Sequence, residues 1–142
     1  MNIILLSGGS GKRLWPLSND VRSKQFIKLF KNDDEYESMV QRVYRQITTV
    51  DADAKITIAT SKSQASAIKN QLGEKASICV EALPSCIPSR PIALAAAYLH
   101  DELGVAESEA VVVCPVESVW WIIPITKLLR LCRSWQSRVE QT

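Results

Sequence analysis

Residues 2–6 read Asn-Ile-Ile-Leu-Leu, an almost wholly apolar run that stops at Ser7-Gly8-Gly9. A short run without polar alternation predicts a central parallel strand buried on both faces. From Glu37 to Ile47 the period changes. Met39, Val40, Val43, Tyr44 and Ile47 fall on one helical face while Gln41, Arg42 and Arg45 turn outward, which predicts an amphipathic helix. Lys55–Thr60 is β-branched and predicts a second strand, after which Ser61 or Ser63 can cap a helix that runs to Leu72 and closes at Gly73. Ala76–Val80 predicts a third strand. Pro91 can open a helix over the alanine-rich Ile92–Leu103, stopped by Gly104, and Ala110–Val113 predicts a fourth strand. Strands alternating with helices predict an α/β fold with a mostly parallel sheet. Open sheets of this kind bind ligands beyond the carboxyl ends of their strands, so the loops at Ser7–Ser18, Thr60–Lys62, Glu81–Pro91 and Cys114–Glu117 are expected to share one edge.

The chain has 142 residues, 46% hydrophobic and 23% charged, enough for a buried core and against disorder. Its net charge of +2 is unevenly spread: residues 1–117 carry 13 basic and 14 acidic groups, residues 118–142 carry 4 and 1. The main body therefore lacks the basic footprint of a nucleic-acid binder. Cys79, Cys86, Cys114 and Cys132 form no C-x-x-C pair and His100 is the sole histidine, so neither a zinc site nor a disulfide framework is expected. Reduced thiols in a cytoplasmic protein follow. The first residues lack a positive segment and a long apolar stretch, so no signal peptide or membrane span is expected.

Candidate chemistry concentrates in residues 7–18, Ser-Gly-Gly-Ser-Gly-Lys-Arg-Leu-Trp-Pro-Leu-Ser, followed by Ser23-Lys24-Gln25-Phe26. Glycines let backbone N–H groups approach a phosphate, and Lys12, Arg13 and Lys24 supply cationic donors. A Walker A loop would need glycine at Leu6 and Ser or Thr at Arg13. A dinucleotide fingerprint would need glycine at Leu14. What the segment resembles is G-G-x-G-x-R-L-x-P-L-[ST] followed by K-Q-F, the signature of mannose-1-phosphate guanylyltransferases among the sugar nucleotidylyltransferases. The likeness extends to Val80 and resumes over Ile92–Leu99 and Val111–Val116.

That resemblance implies a Rossmann-like, mostly parallel sheet with flanking helices, here a truncated nucleotidyltransferase domain over residues 1–117. It implies nucleotide contacts at Gly8, Gly9, Ser10, Gly11, Lys12, Arg13 and Glu81, with Arg13 gripping the triphosphate and Lys24 neutralising charge at the reacting phosphates as the catalytic pair. The implied substrates are GTP and mannose 1-phosphate, the implied cofactor Mg²⁺, and neither nucleic acid nor membrane is an implied partner. The family places a magnesium-binding aspartate where this chain has Glu117; a solvent-exposed glutamate at a strand end is the alternative.

The likeness breaks in two places. The family loop E-P-x-x-R-[ND]-T-x-P-A-I-A-L is replaced after Glu81 by Ala-Leu-Pro-Ser-Cys-Ile-Pro-Ser-Arg-Pro, and residues 118–142 lack the family's acidic pattern while holding three of the four tryptophans. Residues 82–91 reflect either divergence or two reading-frame shifts that nearly cancel, and the tail is expected to be out-of-frame sequence, the alternative being a basic amphipathic helix resting on a membrane, with Trp120, Trp121 and Ile122 beside Lys127, Arg130 and Arg133. Because family chains are more than twice as long, the expectation is an incomplete, weakly active or inactive fragment. Two alternatives stand beside it: a non-catalytic nucleotide-binding or regulatory protein, and a non-functional truncated product.

Overall fold

The computed structural model describes residues 1–8, 16–18, 23–73, 76–81 and 89–116. In chain order these form β1 (Asn2–Ser7), a 3-10 turn at Lys24–Phe26, β2 (Lys28–Asn32), β3 (Glu35–Ser38), α1 (Met39–Val50), β4 (Lys55–Ser61), α2 (Lys62–Leu72), β5 (Ser77–Glu81), α3 (Ser89–Asp101) and β6 (Val111–Pro115). Four strands make one sheet in the order β5-β4-β1-β6, and every neighbouring pair in it is parallel. The order runs outward from β1 through β4 to β5, then returns through α3 to the far side of β1. The reversal therefore lies between β1 and β6, where open α/β sheets leave a ligand crevice.

The pleat sorts the core into two layers. Ile3 and Leu5 of β1, Ile56 and Ile58 of β4 and Cys114 of β6 pack with Val40, Val43 and Ile47 of α1 and Ile68 of α2. On the opposite face, Ile4, Ala59 and Cys79 pack with Ala95 and Leu99 of α3. Ile3, Ile4, Leu5 and Ile58 are completely buried, which is why β1 and β4 carry apolar residues at consecutive positions. Each such side chain contributes about 1.5–3 kcal/mol of transfer free energy. Cys79 and Cys114 are buried thiols on opposite faces of the sheet.

Local signals set the helix ends. Ser38 caps α1 through a capping box: its Oγ accepts the Gln41 N–H at 3.3 Å, and Gln41 Oε1 accepts the Ser38 N–H at 3.0 Å. The helix thus begins at Met39, two residues after the expected start, because Glu37 belongs to β3. Pro91 sits in the first turn of α3, where a missing N–H leaves no helical bond unmade. Gly73 (φ 66°) and Gly104 (φ 62°) end α2 and follow α3 in backbone conformations that a Cβ disfavours.

The β2–β3 hairpin was not legible in the sequence. Its strands pair Asn32 with Glu35 across a two-residue turn, and Asp33 takes the first turn position at φ 52°. Aspartate tolerates that region better than most residues, so no glycine marks the turn. No helix among the described residues is long and apolar enough to cross a membrane.

Candidate functional site

Because the four strands run the same way, their carboxyl ends share one edge, as the sequence predicted. Ser7 pairs with Thr60, Ser61 with Glu81, and Leu6 with Pro115. The Val116 N–H extends the last pairing by donating to the Leu6 carbonyl at 3.0 Å. The backbone therefore leaves the sheet after β1, β4 and β6 at adjacent points. Gly8 is exposed directly beyond β1.

The Lys24–Phe26 turn is tied to this edge by side chains. Gln25 is 1% exposed, and its Nε2 donates to Gln64 Oε1 of α2 at 2.8 Å. Gln64 lies one turn into α2, beside Thr60, whose hydroxyl donates to the Ser7 carbonyl at 2.7 Å. Further along α2, Gln71 Nε2 donates to the Phe26 carbonyl at 2.9 Å, while Gln71 Oε1 accepts the Ser38 hydroxyl at 2.6 Å. A polar chain Gln25–Gln64–Thr60–Ser7 thus links the lysine turn to the end of β1. Among the described residues, Ser7 Oγ and Gln25 Oε1 in this chain are buried without a hydrogen-bond partner. Buried polar atoms left so are uncommon, and Thr57 Oγ1 in the middle of β4 is another.

Of the residues singled out from the sequence, the structure places Gly8 at the end of β1, Lys24 at the start of the 3-10 turn and the backbone of Glu81 at the end of β5, all around this edge. Gly9, Ser10, Gly11, Lys12, Arg13 and Glu117 lie outside the described residues, as do residues 82–88 of the altered loop and the tail, while Ser89, Arg90 and Pro91 of that loop form the first turn of α3. Among the described residues no three His, Cys, Asp or Glu side chains gather as a metal site. Sequence reasoning missed Thr60, Gln64 and Gln71. Their signal was present, since Gln64, Ile68 and Gln71 share one helical stripe in which two of three inward positions are polar.

A comparison with family models decides the class, for residues 2–139 match the model described as nucleotidyl transferase. The chain belongs to that family. Its parallel sheet, with the glycine-rich segment following the first strand, is the nucleotidyl transferase architecture expected from the sequence. Among similar proteins, the xanthan biosynthesis protein XanB of Xanthomonas campestris is 41% identical over 76 residues, 52% of this chain and 15% of that protein. A mannose-1-phosphate guanylyltransferase of Escherichia coli is 45% identical over 40 residues, 28% of this chain and 9% of that protein. Another, from Salmonella montevideo, is 37% identical over 59 residues, 42% of this chain and 12% of that protein. This nucleotidyl transferase chain thus covers 15% or less of the length of those relatives.

Proposed function

We propose that this nucleotidyl transferase serves the transfer of GMP from GTP to mannose 1-phosphate, giving GDP-mannose and pyrophosphate, with the present chain supplying the triphosphate side of the site. The observation that carries the reading is the signature over Gly8–Ser18 and Lys24–Phe26, which follows the strand flanking the sheet reversal. Gly8 adds support. It has no positive φ, and a Cβ built on it would meet nothing within 4 Å, so neither strain nor packing among the described residues explains a glycine. Close approach of a ligand would explain it.

In the proposed reaction a phosphate oxygen of mannose 1-phosphate attacks the α-phosphorus of GTP, and the bond from that phosphorus to the bridging oxygen of the β-phosphate breaks. The attacking oxygen is already anionic, so no protein nucleophile or strong base is needed. The backbone N–H groups of residues 8–11 bind phosphate, Arg13 holds the outer phosphates in a fork, and Lys24 neutralises charge that develops as pyrophosphate leaves. Glu117 offers a hard oxygen donor of the kind Mg²⁺ takes alongside substrate phosphates, and the residue before it is hydrogen-bonded to the end of β1. When bound, Mg²⁺ supplies Lewis-acid polarisation of the phosphates.

The test is calorimetric titration of the 142-residue chain with magnesium complexes of GTP, UTP and dTTP. GTP should bind in preference to the other two, and Lys24→Ala should weaken it about tenfold, as loss of a charge-assisted contact to phosphate implies. Equal affinity for the three nucleotides would remove the guanylyl assignment. No binding to any would remove the site.

A further inference from the structure

The inner stripe of α2 contains two glutamines, Gln64 and Gln71, on either side of the fully buried Ile68. Polar side chains on a core-facing stripe carry a desolvation cost that leucine would avoid, unless their hydrogen bonds do something packing cannot. Both glutamines bond to the same short segment. Gln64 takes the side-chain amide of Gln25, and Gln71 donates to the carbonyl of Phe26. Seven residues separate them, about 10 Å along the helix axis, so they grip the turn at two distinct points. Lys24 opens that turn and is bracketed by buried Ser23 and Gln25.

We infer that α2 acts as a splint for Lys24, with Gln64 and Gln71 as positioning residues that fix where its ammonium group stands relative to the end of β1. The second end of the splint is anchored. Gln71 Oε1 accepts from Ser38, the cap of α1, and Gln41 Nε2 donates to the Gln71 carbonyl at 3.1 Å. At the first end, Gln64 stands beside Thr60, which holds Ser7. The lysine turn and the root of the glycine loop are therefore referenced to one helix. A displacement of α2 would move both together instead of opening a gap between them. The inference rests on the proposed triphosphate site, and it adds residues that reach the ligand only through Lys24.

The test uses the 142-residue chain and Gln64→Leu, which keeps volume but removes the acceptor for Gln25. GTP affinity should fall about fivefold, the worth of one lost hydrogen bond, while GMP affinity changes much less. The discriminating measurement is a double-mutant cycle. In a Lys24→Ala background Gln64→Leu should change GTP affinity by less than about twofold, because the group it positions is gone. An equal loss in both backgrounds, or equal losses for GTP and GMP, would make Gln64 a structural support and overturn the inference. Should Gln64→Leu fail to fold, Gln64→Asn withdraws the acceptor by one methylene and is read the same way. If Lys24→Ala alone leaves GTP affinity unchanged, the triphosphate reading falls, and the inference with it; that outcome is separate from an uncoupled cycle, in which Lys24 matters and Gln64 does not act through it.

Discussion

The hydroxyl of Thr60 donates to the carbonyl oxygen of Ser7 at 2.7 Å, joining the carboxyl ends of β4 and β1 where both residues are buried. A ladder bond alone would not fix the last residue of β1, since the chain turns out of the sheet after it. Thr60→Val keeps the β-branched shape and removes only the hydroxyl. It should lower unfolding stability by about 1–2 kcal/mol, the net worth of a buried hydrogen bond. GTP binding should weaken with it, because the glycine-rich loop springs from Ser7. A urea midpoint and a nucleotide titration on the same preparation check both parts; lost stability with intact binding would separate the strand end from the site.

Which parts were legible in the sequence follows from the length of the signal. β1, α1, β4, β5, α3 and β6 each carry a run of apolar residues at one period, so burial and sequence pattern report the same thing, whereas α2 was legible from the Ser61 and Gly73 that flank it. The hairpin was not. Leu29 and Tyr36 are exposed in β2 and β3, and Asp33 turns the chain without glycine, so neither alternation nor turn chemistry reveals it. The candidate site was legible as a loop, since Gly8 and Lys24 belong to one local signature. The polar stripe of α2 pointed to Gln64 and Gln71 as supports, but their partners were not legible, because Gln64 is 39 residues from Gln25 and Gln71 is 45 from Phe26. Hydrogen bonds between distant polar residues leave no period in a sequence.

A second pair gives the fold a pH dependence. Asn2 Nδ2 at the start of β1 donates to Glu109 Oε2 at 2.8 Å, and the Ala106 N–H donates to Oε1 of the same carboxylate at 3.3 Å. These bonds, the Asn2 contact foremost, hold the Glu109 carboxyl below its ordinary value. A folded-state value lower than the unfolded one means that the ionised group stabilises the fold. That contribution is complete above the ordinary glutamate range and is lost as pH falls through the lower folded value. The urea midpoint of the native chain should therefore exceed that of Glu109→Gln near neutrality, and the two should converge on acidification from about pH 7 to about pH 3. Glu109 is exposed, so the gap should be small and should shrink with added salt. A gap that stays constant across the range would show that Glu109 contributes through shape and not through charge.

The remaining prediction concerns Arg13, whose proposed role is defined by which phosphates a ligand carries. A guanidinium presents two parallel N–H donors, and a phosphate accepts both in a fork. GTP offers three phosphates to such a group and GMP offers one, already engaged in the proposed site by the backbone N–H groups that follow β1. If Arg13 grips the outer phosphates, Arg13→Ala should weaken GTP by about tenfold or more and leave GMP nearly unchanged. Arg13→Lys keeps the charge but loses the fork, so it should restore only part of the difference. Titrating both nucleotides against the three proteins at one salt concentration separates these effects from general screening. Equal losses for GTP and GMP on Arg13→Ala would mean that the arginine shapes the loop instead of holding the triphosphate, and full recovery with lysine would mean that charge alone matters there.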